Sequence, residues 1–144
     1  MGTLVSRDEL VERVADLRRS GRTVAFANGC FDLLHVGHIR YLEGTAQQAD
    51  VLVVAVSDDD SVRRLEGDGR SILAVEHRAE LLAALRSVDF VVVCSEPELG
   101  PLLDALRPDV RCKATDTDRS TRDLLARIAG SSSTPDHAKP ASTP

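Results

Sequence analysis

The feature that most constrains the fold of this chain is a series of short, almost entirely apolar runs. The clearest one, at residues 50–57, reads Asp-Val-Leu-Val-Val-Ala-Val-Ser, so apolar side chains point to both sides of its backbone. This composition is typical of a parallel β-strand that helices cover on both faces. Similar runs at residues 23–27 and 89–95, and a weaker one at 109–115, predict three more strands of the same kind.

Segments with helical periodicity lie between these runs. Leu10 and Val14, in residues 8–19, recur at the spacing of one helix face. The same spacing predicts helices at residues 35–49, 75–88, 98–107 and 120–129, with a shorter one at 61–66. Alternating strands and helices indicate right-handed crossovers between parallel strands. The sequence therefore predicts an α/β fold, a single Rossmann-like domain whose doubly wound parallel sheet carries helices on both faces.

Composition limits the classes of protein to which the chain can belong. It has 144 residues and a formal net charge of −5, an acidic balance that disfavours a nucleic-acid binder. No apolar run approaches the roughly 20 residues that span a bilayer, and the N-terminus lacks a signal-peptide pattern. We therefore expect a cytoplasmic protein rather than a membrane protein. The three cysteines are widely spaced, which disfavours a zinc site or a disulfide framework.

The composition near the C-terminus predicts a domain boundary. From residue 130 onward the chain is rich in Ser, Thr, Pro and Ala and has no large apolar side chain. Such a segment cannot bury enough apolar surface to offset the entropy that folding removes. We therefore expect a folded domain at residues 1–129 and a disordered polar tail at residues 130–144.

The loop after the first predicted strand carries the most informative residues. Residues 28–38 read Asn-Gly-Cys-Phe-Asp-Leu-Leu-His-Val-Gly-His and lack both the three-glycine dinucleotide fingerprint and the Gly-Lys-Ser/Thr of a P-loop. The loop nevertheless has the arrangement by which those two motifs bind phosphate. A glycine turn leads from a strand to a helix N-terminus, where free N–H groups attract anions. His35 and His38 are three residues apart, so both lie on one side of the first helical turn, where they can donate hydrogen bonds to a phosphate.

Other interpretations of this loop stay open. The two histidines could be metal ligands, although no third ligand lies nearby in sequence, or ordinary structural residues. Asn28, the only asparagine in the chain, is equally typical of a turn that needs an unusual backbone conformation. Gly29 would let a phosphate approach the backbone closely, and Gly37 leaves the start of the helix without a side chain.

The His-Val-Gly-His tetrapeptide, preceded by Gly-Cys-Phe-Asp-Leu-Leu, resembles the HxGH signature of the cytidylyltransferase-like nucleotidyltransferases. Three wider stretches, residues 28–43, 61–70 and 84–89, are most similar to the ADP-heptose synthases of that superfamily. The resemblance extends over residues 10–117. It implies an enzyme that transfers AMP from ATP to a sugar 1-phosphate, D-glycero-β-D-manno-heptose 1-phosphate, and releases pyrophosphate, with Mg²⁺ accompanying ATP.

The resemblance also implies roles for particular residues. Those expected to act on the transferred phosphates are His35, His38, Arg78 and Lys113. Those expected to contact the nucleotide are Asn28, Gly29, Cys30, Phe31, Gly37, Ser120 and Thr121. Those expected to bind the sugar phosphate are Asp32, Arg63 and Arg70, and no residue is assigned to a protein-bound metal. A phosphate nucleophile is already ionised at neutral pH, so the reaction needs positioning and electrostatics more than a general base.

Several of these residues also have a simpler interpretation. Arg78 could be an exposed helix residue, and Arg63 and Arg70 could belong to a solvated basic segment. The three aspartates at residues 58–60 could contact ribose, sugar hydroxyls or Mg²⁺, or simply cap a helix and interact with its dipole. Lys113 is the only lysine before the polar tail, and it lies near the end of a predicted strand, where such sheets bind ligands.

Two departures from the family pattern leave other functions open. The family's Lys-Gly-x-Asp-Tyr is here Lys-Ala-Thr-Asp-Thr, at residues 113–117. The Ser-Thr pair at residues 120–121 follows almost at once, where the family has a helix and a further strand. The open alternatives are a glycerol-3-phosphate-type cytidylyltransferase, an FAD synthetase, an inactive nucleotide-binding homologue, and a histidine-based metal module. The resemblance also leaves room for a homodimer.

Overall fold

In a computed structural model of the protein, which describes residues 1–113, parallel strands form one five-stranded sheet. The strands are β1 (Thr3–Leu4), β2 (Val24–Gly29), β3 (Val51–Ser57), β4 (Phe90–Cys94) and β5 (Val110–Lys113). The helices are α1 (Arg7–Arg19), α2 (Val36–Ala46), α3 (Asp59–Glu66), α4 (Val75–Ala83) and α5 (Glu96–Leu106). The predicted helix at 120–129, the predicted tail at 130–144, and Ser120 and Thr121 lie outside the described residues. No helix within residues 1–113 is both long and apolar enough to cross a membrane.

The order of the strands creates a crevice at the carboxyl end of β2. The sheet runs β1-β4-β3-β2-β5, and each neighbouring pair is parallel. The chain moves from β2 through β3 to β4 in one direction and then crosses back to place β5 on the other side of β2. This reversal is the topological switch point at which doubly wound sheets bind their ligands. In this register Asn28 of β2 lies opposite Ala55 of β3 and Lys113 of β5.

Two apolar cores, one on each face of the sheet, explain why the strands are so poor in polar residues. On one face, α2 and α4 pack on the strands through Tyr41, Leu42, Ala79 and Leu82. On the other face, α1 and α5 pack through Leu10, Val14, Leu102 and Leu106. All of these side chains are at most 2% exposed. The predicted Rossmann-like α/β fold, with helices on both faces of the sheet, is confirmed.

The short strand β1 is the element that the sequence pattern does not predict. It has only two residues, both exposed, so it shows no apolar run. It joins the edge of the sheet through backbone bonds, one of which runs from the Val5 N–H to the Val91 carbonyl (2.9 Å) just beyond the strand. A Cβ atom added at Gly2 would lie 3.0 Å from Val88, which is tighter than most contacts of this kind, so a larger residue would require Val88 to shift by a few tenths of an ångström.

The helix bounds differ from the predicted ones by up to five residues; for example, α2 ends at Ala46 instead of residue 49, and α3 begins at Asp59 instead of residue 61. Helix α5 begins at Glu96 instead of residue 98, because Ser95 and Glu98 form a capping box that places a proline in the first turn. The Ser95 N–H donates to the Glu98 carboxylate at 2.9 Å. Helix α4 ends at Ala83 instead of residue 88, since the chain turns there to enter β4, and Val88 is still buried in the core.

An aspartate directly precedes each of the strands β3, β4 and β5, and each fastens the amino end of the neighbouring strand. The carboxylates accept backbone N–H bonds of 2.8 to 2.9 Å, in the pairs Asp50–Thr23, Asp89–Leu52 and Asp109–Val24. These bonds give acceptors to backbone N–H groups at the amino ends of the strands. They therefore help to fix the register of strands whose carboxyl ends surround the crevice.

Replacing one of these carboxylates should destabilise the fold. Asp109→Ala leaves the partly buried Val24 N–H without its acceptor, so the free energy of unfolding should fall by about 1–2 kcal/mol. The exposed Asp104 on α5 provides a matched control, because Asp104→Ala should change the free energy of unfolding by less than about 0.5 kcal/mol. Urea unfolding measures both values, and equal losses in the two variants would contradict the role given to Asp109.

Candidate active site

The chain leaves β2 at Gly29 and passes through a tight, buried turn. Cys30, Phe31 and Asp32 are at most 8% exposed, although they belong to a loop. Phe31 has a φ of 51°, in the left-handed region that residues other than glycine rarely occupy. Burial of its ring, whose edge faces His38 at a centroid distance of 5.4 Å, offsets the cost of that backbone conformation. The turn therefore fixes the place where α2 begins.

The two histidines of the motif form the cap of α2. His35 is the N-cap residue, and its Nδ1 atom accepts a hydrogen bond from the Gly37 N–H at 3.1 Å. The Nδ1 atom of His38 accepts a bond from the His35 N–H at 3.3 Å. The rings lie one on the other, with centroids 4.0 Å apart and planes inclined by 31°. Because Ser, Thr, Asp or Asn normally fills this capping position, a cap built from two imidazoles is a specific feature of this helix.

These bonds determine which nitrogen of each ring can donate to a ligand. A neutral imidazole that accepts through Nδ1 carries its proton on Nε2. His35 and His38 are therefore both Nε2–H donors, on the side of the ring away from the capped N–H groups. The N-terminus of α2 also carries a partial positive charge. Together these groups form a place at which an anion is favoured.

Asn28, near the end of β2, contributes a polar atom for which residues 1–113 provide no partner. The residue belongs to the strand itself, so the interpretation of Asn28 as a turn residue with unusual backbone angles is wrong. Its Oδ1 atom is buried and accepts no hydrogen bond from the part of the chain that the structure describes. A buried polar atom without a partner is costly, and a ligand that donates a hydrogen bond would satisfy it. Lys113 is opposite in β5, so both candidate residues lie at the same end of the sheet.

Arg78 has the largest fully buried side chain among residues 1–113. Its guanidinium donates to the Asp59 carboxylate at 2.7 Å and to the carbonyls of Cys30 (2.7 Å), Ser57 (2.6 Å) and Leu73 (3.0 Å). The interpretation of Arg78 as an exposed helix residue is therefore wrong. The bonded groups belong to the turn after β2, the end of β3, the start of α3 and the segment before α4. Arg78 holds these pieces together, and its contact with transferred phosphates stays a prediction.

The aspartates at the start of α3 have structural partners. Asp58 caps the helix by accepting a backbone N–H bond of 2.9 Å, as the simpler interpretation of this cluster predicts. Asp59 accepts bonds from Arg78 and from the Ser71 hydroxyl, the latter at 2.8 Å. Desolvation would raise the pKa of the Asp59 carboxyl, but the bonds from Arg78 and Ser71 outweigh it and hold the pKa below its ordinary value.

Asp32 fastens residues 70–73 to the turn after β2. Its carboxylate accepts hydrogen bonds from the backbone N–H groups of Ile72 (2.9 Å) and Leu73 (3.0 Å). Its Oδ2 atom also lies 3.3 Å from the guanidinium of Arg70. The structure thus brings together two of the residues predicted to bind the sugar phosphate, and that binding stays a prediction.

Sequence reasoning misses the partners of these charges because the partners are far apart in sequence. The Arg78–Asp59 bond joins residues 19 positions apart, and the bond from Ile72 to Asp32 joins residues 40 positions apart. No local spacing encodes such pairs. Arg63, the remaining basic candidate, pairs with an aspartate of its own helix, as a solvated segment would.

Thiols and metal-ligand groups add little to the chemistry of this region. Cys30, Cys94 and Cys112 are all buried. Burial raises the pKa of the Cys94 thiol to about 11, which disfavours the reactive thiolate. Within the part of the chain that the structure describes, no group of three or more His, Cys, Asp and Glu side chains is arranged to hold a metal ion.

Comparison with known proteins identifies relatives over most of the chain. A family model for cytidylyltransferase-like domains matches residues 26–131. The chain is 42% identical over 127 residues to the bifunctional protein HldE of Syntrophotalea carbinolica and 48% identical over 113 residues to that of Alkalilimnicola ehrlichii. These alignments cover 86% and 78% of this chain but 26% and 24% of the relatives. The chain therefore spans about a quarter of the length of these curated relatives.

Solved structures show the same architecture. A lipopolysaccharide core biosynthesis protein from Thermoplasma volcanium superimposes with a TM-score of 0.60 and 28% identity, over 78% of this chain and 90% of that one. A pantothenate synthetase from Thermus thermophilus superimposes with a TM-score of 0.52 and 17% identity, over 92% of this chain and 58% of that one. At that lower identity the likeness shows the fold alone.

Loss of the Arg78 guanidinium should destabilise the domain strongly. Arg78→Met removes one donor from each of three carbonyls and the cationic partner of the Asp59 carboxylate, so the free energy of unfolding should fall by about 3–5 kcal/mol. Arg86→Met is the matched control. That side chain is 93% exposed, so its loss should change the free energy of unfolding by less than about 0.5 kcal/mol. Urea unfolding distinguishes the two, and a small loss in Arg78→Met would contradict the structural role of this residue.

The lowered pKa of Asp59 predicts a pH-dependent contribution to stability. A carboxyl whose pKa is depressed by folding stabilises the native state above its ordinary pKa, and this contribution is lost as the pH falls through the folded value. Asp59→Asn should therefore be less stable than the wild type at pH 7, and the difference should shrink as the pH falls below the ordinary pKa of an aspartate toward the lower folded value. Thermal unfolding across this range measures it, with the exposed Asp60→Asn as control. A difference that does not change with pH would contradict the assignment.

Proposed function

Since the chain belongs to the cytidylyltransferase-like family of nucleotidyltransferases, we propose that it transfers AMP from ATP to D-glycero-β-D-manno-heptose 1-phosphate. The products would be the ADP-sugar and pyrophosphate. The observation that carries the proposal is the cap of α2, in which the Nδ1 atoms of both motif histidines accept backbone N–H bonds. Similarity to the HldE proteins supports the choice of acceptor. Because the chain spans about a quarter of those proteins, the proposal concerns nucleotidyl transfer alone.

The proposed reaction is a displacement at phosphorus. An oxygen of the acceptor phosphate attacks the α-phosphorus of ATP and forms a new P–O bond. The bond from the α-phosphorus to the bridging oxygen of pyrophosphate breaks, and its electron pair leaves with pyrophosphate. The attacking phosphate is already ionised, so no side chain has to remove a proton from it. Catalysis then depends on holding the two reactants in line and stabilising negative charge on the α-phosphoryl oxygens.

His35 and His38 would supply this stabilisation. Their Nε2–H groups would donate to oxygens of the α-phosphate as charge develops there, together with the N–H groups and dipole of α2. Donors that are already fixed by a helix cap need no reorganisation during the reaction. Lys113, at the carboxyl end of β5, would add a positive charge on the opposite side of the switch point.

The residues predicted to contact the nucleotide would surround it. We assign contacts with ATP to Asn28, Gly29, Cys30, Phe31, Gly37, Ser120 and Thr121. Mg²⁺ would arrive with ATP as part of the substrate and shield its phosphates. A chain with a net charge of −5 repels ATP at a distance, so binding would depend on the local donors and cations at the end of β2.

The substrate assignment can be tested directly. Purified protein with MgATP and the heptose 1-phosphate should release pyrophosphate and form an ADP-sugar that mass spectrometry detects. CTP replaces ATP in one comparison, and glycerol 3-phosphate or FMN replaces the sugar phosphate in others. No pyrophosphate from ATP and the heptose 1-phosphate would contradict the proposal. Transfer from CTP would indicate a cytidylyltransferase, and ATP binding without turnover would indicate an inactive homologue, which the shortened stretch before Ser120 favours.

Removing either imidazole should slow the reaction. His35→Ala and His38→Ala should each lower kcat by about 10² to 10³, the effect of losing one transition-state donor. His77→Ala, at an exposed position on α4, should leave kcat within about twofold of the wild type, as surface changes remote from a site do. The change also removes part of a helix cap, so the Tm of each variant is measured as well. A folded His38→Ala variant with wild-type kcat would contradict the mechanism.

A further inference from the structure

We propose that Asp32 is a positioning residue that aims Arg70 at the phosphate of the acceptor. This inference rests on the proposed function. It concerns the segment of residues 70–73, which the sequence shows only as a loop between two predicted helices.

Asp32 is placed to act through this segment and not on a substrate. Its side chain is 1% exposed, and both carboxylate oxygens accept bonds from Ile72, Leu73 or Arg70. A carboxylate that is buried and bonded in this way has no exposed edge for a ligand. The expectation that Asp32 itself touches the sugar phosphate therefore becomes, in this proposal, an indirect role.

Arg70 has the opposite character. Its side chain is 37% exposed, so part of it reaches solvent while one nitrogen is held by Asp32. A guanidinium has five N–H donors, and a single contact with Asp32 leaves others for a phosphate. The buried carboxylate orients a long, flexible side chain before the ligand arrives, which lowers the entropy that binding has to overcome.

The backbone of residues 70–73 is held from two sides. Asp32 accepts the N–H groups of Ile72 and Leu73, while Arg78 donates to the Leu73 carbonyl from the other side. The Ser71 hydroxyl also donates to Asp59, which itself binds Arg78. Buried charges of opposite sign thus fix this short segment to the turn after β2 and to the start of α3.

The position of the segment indicates the acceptor rather than ATP. The switch point lies between β2 and β5, whereas residues 70–73 are bonded to the turn after β2 and to the start of α3, which follows β3 on the other side. In an in-line displacement the attacking and leaving oxygens lie on opposite sides of the phosphorus. With the nucleotide at the switch point, the attacking phosphate would come from the β3 side, where Arg70 stands.

Kinetics of three variants test this assignment. Asp32→Asn keeps an oxygen for the two backbone N–H groups but turns an NH₂ group toward Arg70, so the orienting bond is lost. It should raise the KM for the heptose 1-phosphate by about tenfold, the effect of losing one charge-assisted bond, with kcat and the KM for ATP within about twofold. Arg70→Gln should do the same. If Asp32 acts through Arg70, the double variant should be no worse than Arg70→Gln alone.

A control variant and the two KM values decide whether the effect is specific to the sugar phosphate. Arg86→Gln removes an exposed arginine outside the crevice and should leave both KM values unchanged. An Asp32→Asn variant that raises both KM values equally, or leaves both unchanged, would overturn the proposal. So would effects that multiply in the double variant.

Calorimetric titration with the heptose 1-phosphate alone separates this inference from the proposed function. If the wild type binds the sugar phosphate but transfers no AMP to it, the proposed reaction fails, while the ratio of wild-type to Asp32→Asn affinities still decides the role of Asp32. Equal affinities would then overturn the inference. If the wild type does not bind the sugar phosphate, both proposals fail.

Discussion

The burial of the Arg78 guanidinium is the interaction on which the arrangement of the candidate site depends. A fully buried cation is stable only if polar groups surround it, so its acceptors must be brought to one place. Those acceptors come from the turn after β2, the end of β3, the start of α3 and the segment before α4. A parallel sheet brings the ends of β2 and β3 to the same edge, but it does not by itself fix the loops above them. Arg78 does so, because its bonds fix the turn after β2, the start of α3 and the segment before α4 relative to one another.

Two other networks give this crevice its chemistry. The reciprocal cap between His35 and His38 uses the Nδ1 atom of each ring, so the same bonds that begin α2 also fix the tautomer of its histidines. Asp32 and Arg78 together hold residues 70–73 against the turn after β2. Each network contributes at once to stability and to the placement of donors. Donors that are held in this way suit the proposed reaction. In that reaction both reactants are phosphates, and the protein has to orient them and stabilise charge rather than remove a proton.

The sequence predicts the fold well because the fold depends on local patterns. Apolar runs such as residues 50–57 are sufficient to predict buried parallel strands, and only the two-residue β1, which has no such run, escapes the prediction. The position of the motif histidines can also be predicted from the sequence, since their spacing places both on the first turn of a helix. The burial of Arg78 and the orphan oxygen of Asn28 could not be predicted, because each depends on groups that meet only in the folded chain. The sequence therefore predicts candidate residues for the site, but it does not show which of them touch each other.

The central claim of this account is that the cap of α2 presents both motif histidines as Nε2–H donors to a nucleotide phosphate. Long-range ¹H–¹⁵N NMR of ¹⁵N-histidine-labelled protein, at a pH where the rings are neutral, reports the tautomer of each ring. The account predicts the Nε2–H tautomer for His35 and His38, with Nε2 signals that shift when a non-hydrolysable MgATP analogue is added while those of the exposed His77 do not. An Nδ1–H tautomer at either motif histidine, or signals from both rings that ignore the nucleotide, would contradict it.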